Sequence, residues 1–284
     1  MTLKKHIAGV VPVSGLKSDF NMPWHASLMP LAPNYLAVER AVLECAYAGC
    51  NTIWVVCGDD VSTLIKHHVG EKIQDPIYNY RHFEHNKNDF KRPIRIYYVP
   101  ISIRDINKRD NLAWSAIHGA LTAHKISSGI SRWLAPDRFY IAWPYGYYDP
   151  SIVRHHRREL LESKTILSYS GETVKNNLYL GLTIDLDDVE TLKKESHTLS
   201  SGLWEDPQTQ QQRLPIEQRY SYKNFDLKKV FETLKIDDHH NIPVEEYFSI
   251  DCWETYCEFL GSAKCIKKPK ILSYAEWNEI GIDD

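Results

Sequence analysis

The sequence of 284 residues lacks three features that would assign it at once to a broad class of protein. No apolar run reaches the roughly 18 residues that a membrane-spanning helix needs. Basic residues are not in excess, since the formal net charge is -3, and this gives no global attraction to nucleic acid. We therefore expect a cytoplasmic protein, or one of a virion or host cytoplasm if the genome is viral, without membrane association.

A Cys-x-x-Cys pair is also lacking. The six cysteines lie mainly in apolar helices or beside strands: Cys45, Cys50, Cys57, Cys252, Cys257 and Cys265. Free cysteine is among the most buried residue types, and disulfides are rare in reducing compartments. The pattern favours buried reduced thiols over disulfides or a zinc site.

The chain is organised around residues 7–58. An apolar run at 7–13 is followed by turn residues, which predicts a buried strand, and a second apolar run covers 53–56. Between them, apolar residues recur at helical spacing before Gly49, which predicts the end of a helix. These residues are Val38, Ala41, Val42, Cys45 and Ala46. The predicted unit is strand, long loop, helix, strand.

The loop after the first strand is unusually long, because most such connections take about two to six residues and longer ordered ones tend to be functional. Gly15 would allow the backbone to approach a ligand closely, and successive backbone N–H groups there could hold phosphate. An ordinary structural turn is the alternative.

This stretch resembles the opening of the sugar-nucleotide nucleotidyltransferases, the pyrophosphorylase group within the GT-A-like glycosyltransferase fold. The matching positions are Ser14-Gly15 for the small-residue turn, Pro23, residues 28–31 for the L-L-P run, Ala48-Gly49 for the helix end, and residues 53–56 for the second strand. The resemblance extends to about residue 260. It implies an α/β fold with a mostly parallel central sheet flanked by helices.

The resemblance also implies functional residues. Phosphates would lie on the loop from Ser14 to Ser18, with Lys17 as the cation. Val13 and Gly15 would also contact the nucleotide. Asn111 begins the segment that matches a nucleotide-facing helix start. Near the end of the fold the family carries a metal-binding aspartate, and Asp251 occupies that position, so the implied cofactor is Mg²⁺.

The chain departs from the family pattern where metal and phosphate would be bound. The second glycine of the family turn falls on Lys17, and no arginine follows it. The Gly-Asp that ends a central strand in the family falls on Trp143-Pro144, so the nearest acid is Asp149. Asp149 could bind the metal if its loop folds back, whereas a helix cap explains it as well.

The densest aromatic cluster of the sequence follows the same strand. It consists of Trp143, Tyr145, Tyr147 and Tyr148. Such rings stack on sugars or bases, and open α/β sheets bind ligands at the carboxyl ends of their strands. A packing cluster and a protein interface are the two alternatives.

Two functions remain open for this predicted single domain of residues 1–284, which has insertions near 75–93 and 200–224. One is a magnesium-dependent transferase that joins a nucleotide to a sugar phosphate, or a protein that binds the nucleotide sugar. The other is a pseudoenzyme, in which an inactive scaffold binds sugar or assembles with a protein partner or as a homo-oligomer.

Overall fold

The computed structural model describes residues 5–15, 22, 24–76, 93–102, 105, 109, 111–200, 203–206, 209–213, 226–235, 239–262 and 266–269. Lys17 and Ser18 lie outside these ranges, as do Pro23, Cys265 and most of the predicted insertion near 75–93. None of the helices within the described ranges is both long and apolar enough to cross a membrane.

Strands and helices alternate through most of the described chain. The strands are β1 (Ile7–Pro12), β2 (Pro30–Ala32), β3 (Tyr35–Leu36), β4 (Thr52–Val56), β5 (Lys72–Ile73), β6 (Ile94–Val99), β7 (Arg138–Ile141), β8 (Gly146–Tyr147), β9 (Thr165–Ser168), β10 (Leu182–Ile184), β11 (Leu203–Asp206), β12 (Thr209–Arg213), β13 (His240–Pro243) and β14 (Phe248–Ser249). The α-helices are α1 (Ala37–Ala48), α2 (Asp59–Val69), α3 (Leu112–Ile130), α4 (Ile152–His155), α5 (Arg157–Glu162), α6 (Leu186–Ser200), α7 (Leu227–Phe231) and α8 (Trp253–Gly261).

Eight of the described strands form one sheet in the order β13-β9-β10-β7-β1-β4-β6-β5. β1 is parallel to β4 and β7, β4 to β6, and β9 to β13. β10 runs antiparallel to β7 and β9, and β5 runs antiparallel to β6. The predicted class, a mostly parallel sheet flanked by helices, is confirmed.

The core lies on both faces of this sheet, and β1 shows why its sequence is apolar throughout. Ala8 and Val10 face the layer that contains α3, α6 and α7. Ile7 and Val11 face the layer that contains α1, α2, α4 and α5. Because successive side chains of a strand point to opposite faces, a strand covered on both sides must be apolar at nearly every position.

Two further predictions concern the insertion near 200–224 and the state of the cysteines. β11 and β12 form an antiparallel hairpin within the predicted insertion near 200–224. The described cysteines, Cys45, Cys50, Cys57, Cys252 and Cys257, carry free thiols. The first three are buried in the layer around α1, as predicted. The prediction of burial is wrong for Cys252, which is partly exposed, and for Cys257, which is exposed.

Candidate functional site

The candidate site lies where the carboxyl ends of β1 and β7 meet the start of α3. The chain runs from β1 to β4 and β6 on one side, and β7 is placed on the other side of β1. The strand order therefore reverses between β1 and β7. In open α/β sheets, ligands bind at the carboxyl end of such a reversal point.

The turn after β1 is held from two sides. The backbone N–H groups of Val13 and Ser14 both donate to the carbonyl oxygen of Val56, at 2.9 and 3.1 Å. On the other side, the Ser115 hydroxyl of α3 donates to the Ser14 carbonyl oxygen at 2.6 Å. These bonds fix the turn against the end of β4 and the first turn of α3.

Gly15 is required by this arrangement. Its φ of +95° lies in the left-handed region that favours glycine. A Cβ atom at this position would lie 2.4 Å from the carbonyl carbon of Asn111, far inside van der Waals contact. A close approach therefore exists at Gly15, and the approaching group is the backbone at the start of α3, as in the structural-turn alternative. The predicted approach to a ligand stays a prediction.

Asn111 caps the helix that closes this side of the site. Its side-chain oxygen accepts a hydrogen bond from the Trp114 amide at 2.8 Å, and Asn111 is 4% exposed. The positive end of the α3 dipole is consequently at the turn after β1. The predicted role of Asn111 in binding a nucleotide stays a prediction.

Three members of the aromatic cluster lie in the core. Trp143, Tyr145 and Tyr148 are fully buried. The Trp143 indole donates to the Leu180 carbonyl oxygen at 3.0 Å, and the Tyr145 hydroxyl donates to the Val13 carbonyl oxygen at 2.5 Å. The partly exposed member is Tyr147, whose ring centroid lies 4.8 Å from that of Phe259. Stacking on a ligand stays a prediction, and burial favours the packing alternative for the first three.

A buried ionic cluster lies behind the carboxyl end of β7. Arg40 donates to Glu44 at 2.9 Å and to the Trp143 carbonyl oxygen at 2.5 Å. The hydroxyls of Tyr140 and Tyr148 donate to the other Glu44 oxygen at 2.5 and 2.6 Å. We call these four residues, Arg40, Glu44, Tyr140 and Tyr148, the Glu44 cluster.

The Glu44 cluster was not predicted from the sequence, although the sequence contains a signal for it. Arg40 and Glu44 stand four residues apart in α1, a helix whose only other charged residue is Glu39, so they share one helix face. Both side chains are fully buried. Burial would lower the pKa of Arg40, but the Glu44 carboxylate and the nearby Tyr148 and Tyr35 hydroxyls more than reverse this, so that the pKa is raised.

Asp251 is brought to the site by a short sheet. β14 pairs with β8 in antiparallel orientation, and the Ile250 amide donates to the Tyr145 carbonyl oxygen at 2.9 Å. The Asp251 carboxylate accepts hydrogen bonds from Ser249 at 2.6 Å and from Tyr179 at 3.0 Å. Asp251 is partly exposed. We call Ser249, Tyr179 and Asp251 the Asp251 cluster.

Tyrosines connect the Asp251 cluster to the turn after β1. The Tyr145 hydroxyl contacts Val13, and the Tyr145 ring packs against the Tyr179 ring with centroids 5.7 Å apart. Burial, and then the neighbouring Asp251 carboxylate, raises the pKa of Tyr179. The Tyr179 hydroxyl therefore keeps its proton and donates it in the hydrogen bond to Asp251.

Asp149 is engaged with its own loop. Its two carboxylate oxygens accept hydrogen bonds from the Ser151 amide at 2.9 Å and the Ser151 hydroxyl at 2.7 Å, just before α4. This is an Asx turn that leads into α4, whose N-cap residue is Ser151 and has no side-chain cap hydrogen bond, so the predicted cap at Asp149 is not observed. Within the described ranges, neither Asp149 nor Asp251 belongs to a group of three converging histidine, cysteine or carboxylate ligands.

The donor set at Asp251 fits Mg²⁺ under one condition. A carboxylate surrounded by hydroxyl oxygens offers the hard ligands that Mg²⁺ prefers. Oδ1 accepts from Ser249 and, at 3.5 Å, from Thr255, whereas among the described residues Oδ2 accepts from Tyr179 alone and keeps a second lone pair. Mg²⁺ is commonly held by one or two carboxylates together with substrate phosphates. Asp251 therefore fits a metal that a phosphate also binds, rather than a metal held by protein ligands alone.

Comparison with known proteins shows similarity in fold. No protein-family model matches the sequence, and no curated protein matches it. A solved structure assigned as a glucose-1-phosphate thymidylyltransferase from Bacillus anthracis, in complex with a sucrose, is similar with a TM-score of 0.54 and 10% identity over 93% of this chain and 98% of that one. An apo UDP-glucose pyrophosphorylase is similar with a TM-score of 0.53 and 11% identity over 89% and 96%. The chain thus has the fold of these sugar-nucleotide enzymes.

Proposed function

We propose that the protein binds a nucleotide or nucleotide sugar at the carboxyl ends of β1 and β7. The observation that carries this proposal is the turn after β1, held against the start of α3 at the reversal point of the sheet. The positive end of the α3 dipole at this turn favours an anion. The fold shared with two sugar-nucleotide enzymes supports the nucleotide as that anion.

In this proposal the residues of the loop have separate tasks. Val13, Ser14 and Gly15 shape the turn, and Ser18 and Lys17 complete the phosphate site, with Lys17 supplying the positive charge. A lysine ammonium is a suitable point charge for phosphate. Tyr147, the partly exposed ring of the aromatic cluster, is the candidate for contact with the sugar or base.

We further propose that the bound nucleotide is transferred to a sugar phosphate. An oxygen of the sugar phosphate attacks the α-phosphorus of a nucleoside triphosphate, the bond from that phosphorus to the bridging oxygen breaks, and pyrophosphate leaves. Such a reaction depends on positioning and charge neutralisation more than on covalent chemistry. Asp251, with a substrate phosphate and Asp149 as the further candidate ligand, would hold Mg²⁺, which neutralises phosphate charge when bound.

A second function, binding without catalysis on a GT-A-like scaffold, is favoured by a specific observation. At Trp143-Pro144, where the resembling family has its metal aspartate, the Trp143 carbonyl oxygen accepts a hydrogen bond from Arg40 and the indole is buried. Asp149 is hydrogen-bonded to Ser151. In this case the site would bind a sugar or nucleotide sugar, or support assembly with a partner or a second copy.

Thermal unfolding with a panel of nucleoside triphosphates and nucleotide sugars, with and without Mg²⁺, tests both functions. A ligand that binds the folded state alone at about 100 times its Kd adds about 2.7 kcal/mol to the free energy of unfolding. We expect at least one nucleotide to raise the Tm of the wild type. Gly15→Ala is expected to abolish this rise, and Gly171→Ala is the control, because Gly171 has a φ of +82° with no atom within 4 Å of an added Cβ.

Asp251→Ala separates catalysis from binding, with the exposed Glu190→Ala as its control. A Mg²⁺-dependent rise in Tm that Asp251→Ala loses, together with pyrophosphate release from the wild type, would support transfer. A rise that needs neither Mg²⁺ nor Asp251, without pyrophosphate release, would support the scaffold. No rise with any nucleotide at millimolar concentration would overturn the nucleotide site.

A further inference from the structure

We propose that His156, Glu159 and His240 form a binding site for Zn²⁺. The three ligand atoms, one from each side chain, lie within 4.8 Å of one another. Glu159 contacts both histidines: it is hydrogen-bonded to Nδ1 of His156, and the same oxygen lies 3.5 Å from Nε2 of His240. We call these three residues the histidine cluster.

The histidine cluster and the candidate nucleotide site lie at opposite ends of the strands of the sheet. β13 is parallel to β9, and β9 and β7 are both antiparallel to β10, so β13 runs in the direction of β7 and β1. His240 is the first residue of β13 and therefore lies at the amino ends of these strands. The proposed metal site is thus separate from the site at the carboxyl ends and does not depend on the proposed function.

Two regular elements hold the ligands in place. His156 directly precedes α5 and Glu159 lies three residues further on, so both share one face of the helix. The Leu160 amide donates to the His156 carbonyl oxygen at 2.9 Å, within the first turn. His240 pairs with Thr165 of β9, and its amide donates to the Lys164 carbonyl oxygen at 2.7 Å.

One of the three spacings between ligand atoms already matches a tetrahedral ion. With zinc–ligand bonds of about 2.0 to 2.2 Å, neighbouring ligand atoms of a tetrahedron lie about 3.3 to 3.6 Å apart. The distance of 3.5 Å between Glu159 and His240 is within this range. The His156–Glu159 hydrogen bond is shorter, so the ion would replace this bond and move the two groups slightly apart.

The donor set selects the metal. Two imidazoles and one carboxylate are a known zinc donor set that leaves a fourth position open, whereas Mg²⁺ and Ca²⁺ prefer oxygen ligands throughout. The side chains of His156, Glu159 and His240 are 31%, 47% and 46% exposed, so an ion can enter from solvent. Because the ligands come from α5 and the edge strand β13, the metal would join these two elements and stabilise the folded state.

Zinc titration of metal-free protein without an affinity tag tests this site, with calorimetry for affinity and thermal unfolding for stability. We expect the wild type to bind one zinc ion at this cluster and to gain Tm. His240→Ala should weaken binding by at least about tenfold, since loss of a mere outer-shell partner costs about 10- to 100-fold. The matched control is His155→Ala, which removes an exposed histidine next to the cluster.

Two further measurements make the result specific. Co²⁺ in place of Zn²⁺ should give the absorption bands of a tetrahedral site in the wild type and in His155→Ala, and not in His240→Ala. The double variant His67→Ala/His68→Ala removes the adjacent histidines of α2 and should bind zinc as the wild type does. Absence of zinc binding by the wild type, or equal affinity in His240→Ala, would overturn the proposal.

Discussion

Two carboxylates near the end of β7 have similar partners and different surroundings. Glu44 accepts hydrogen bonds from two tyrosine hydroxyls and from Arg40, and every member of the Glu44 cluster is fully buried. Asp251 accepts hydrogen bonds from a tyrosine and a serine hydroxyl and remains partly exposed. Within the described residues, Asp251 has no salt bridge.

The difference in burial and in partners distinguishes a carboxylate that is paired within the core from one that solvent and ions can reach. The Glu44 carboxylate is neutralised by the guanidinium of Arg40, which also lies 4.6 Å from the centroid of the Tyr148 ring. A buried charge needs such a partner, because desolvation is costly. Among the described residues, the partners of the Asp251 carboxylate are hydroxyl groups that do not neutralise its negative charge, so this charge is available to a cation. The comparison thus assigns a structural role to Glu44, whereas the role of Asp251 in ligand binding stays a proposal.

The largest predicted effect is that of Glu44→Gln. The substitution keeps the side-chain volume and leaves Arg40 as an uncompensated buried charge, and breaking a buried pair in this way costs about 3 to 5 kcal/mol. Urea unfolding measures the loss. Arg40→Met/Glu44→Gln should recover part of it, because the stranded charge is then removed. A loss under about 1 kcal/mol for Glu44→Gln would contradict the structural role of the cluster.

A smaller effect is expected for Tyr148→Phe at alkaline pH. Burial, and then the Glu44 carboxylate, raises the pKa of Tyr148 well above its ordinary value. The unfolded chain therefore loses this proton first, and the stability that Tyr148 contributes is present below about pH 10 and is lost as the pH rises further.

The measurement for Tyr148 is the fall in unfolding free energy between neutral pH and alkaline pH. At about pH 11 the fall should be about 1 kcal/mol smaller in Tyr148→Phe than in the wild type. Tyr97→Phe serves as the control, because Tyr97 is 37% exposed. If the free energy of unfolding fell equally in the wild type and in Tyr148→Phe, the folded state would not hold the Tyr148 hydroxyl proton more tightly than the unfolded chain does.

The smallest effect on stability is predicted for Asp251→Asn. The amide keeps an oxygen that can accept from Tyr179 or Ser249, and the site is partly exposed, so the loss should stay below about 1 kcal/mol. Urea unfolding beside Glu44→Gln gives the comparison directly. A loss of the same size as for Glu44→Gln would place Asp251 among the structural charges and remove the contrast between the two clusters.

Much of the fold was predictable because its signals are local. The apolar run of β1, the helical spacing from Val38 to Ala46 and the run of β4 predict elements that the structure contains. Such periodicity follows from which face of an element is buried. The resemblance to the sugar-nucleotide nucleotidyltransferases is confirmed at the level of fold by the structural comparison.

The candidate site was less predictable, because contacts between distant parts of the chain decide it. A close approach of the Gly15 backbone to a ligand was predicted, whereas its neighbour in the structure is Asn111, which follows from the placement of α3. The aromatic residues after β7 were noticed as one cluster, yet burial separates Tyr147 from Trp143, Tyr145 and Tyr148. The roles of Lys17, Ser18 and Asp251 in binding stay predictions.

The sequence by itself determined the class of fold, since apolar patterning and turn residues act within a few positions of the chain. Tertiary structure alone decided which polar groups meet: Glu44 with tyrosines about a hundred residues away, Asp251 with Tyr179, and His156 with His240. The physical reason is that electrostatic interactions and hydrogen bonds depend on distance and burial in the folded state, and spacing along the chain does not encode either.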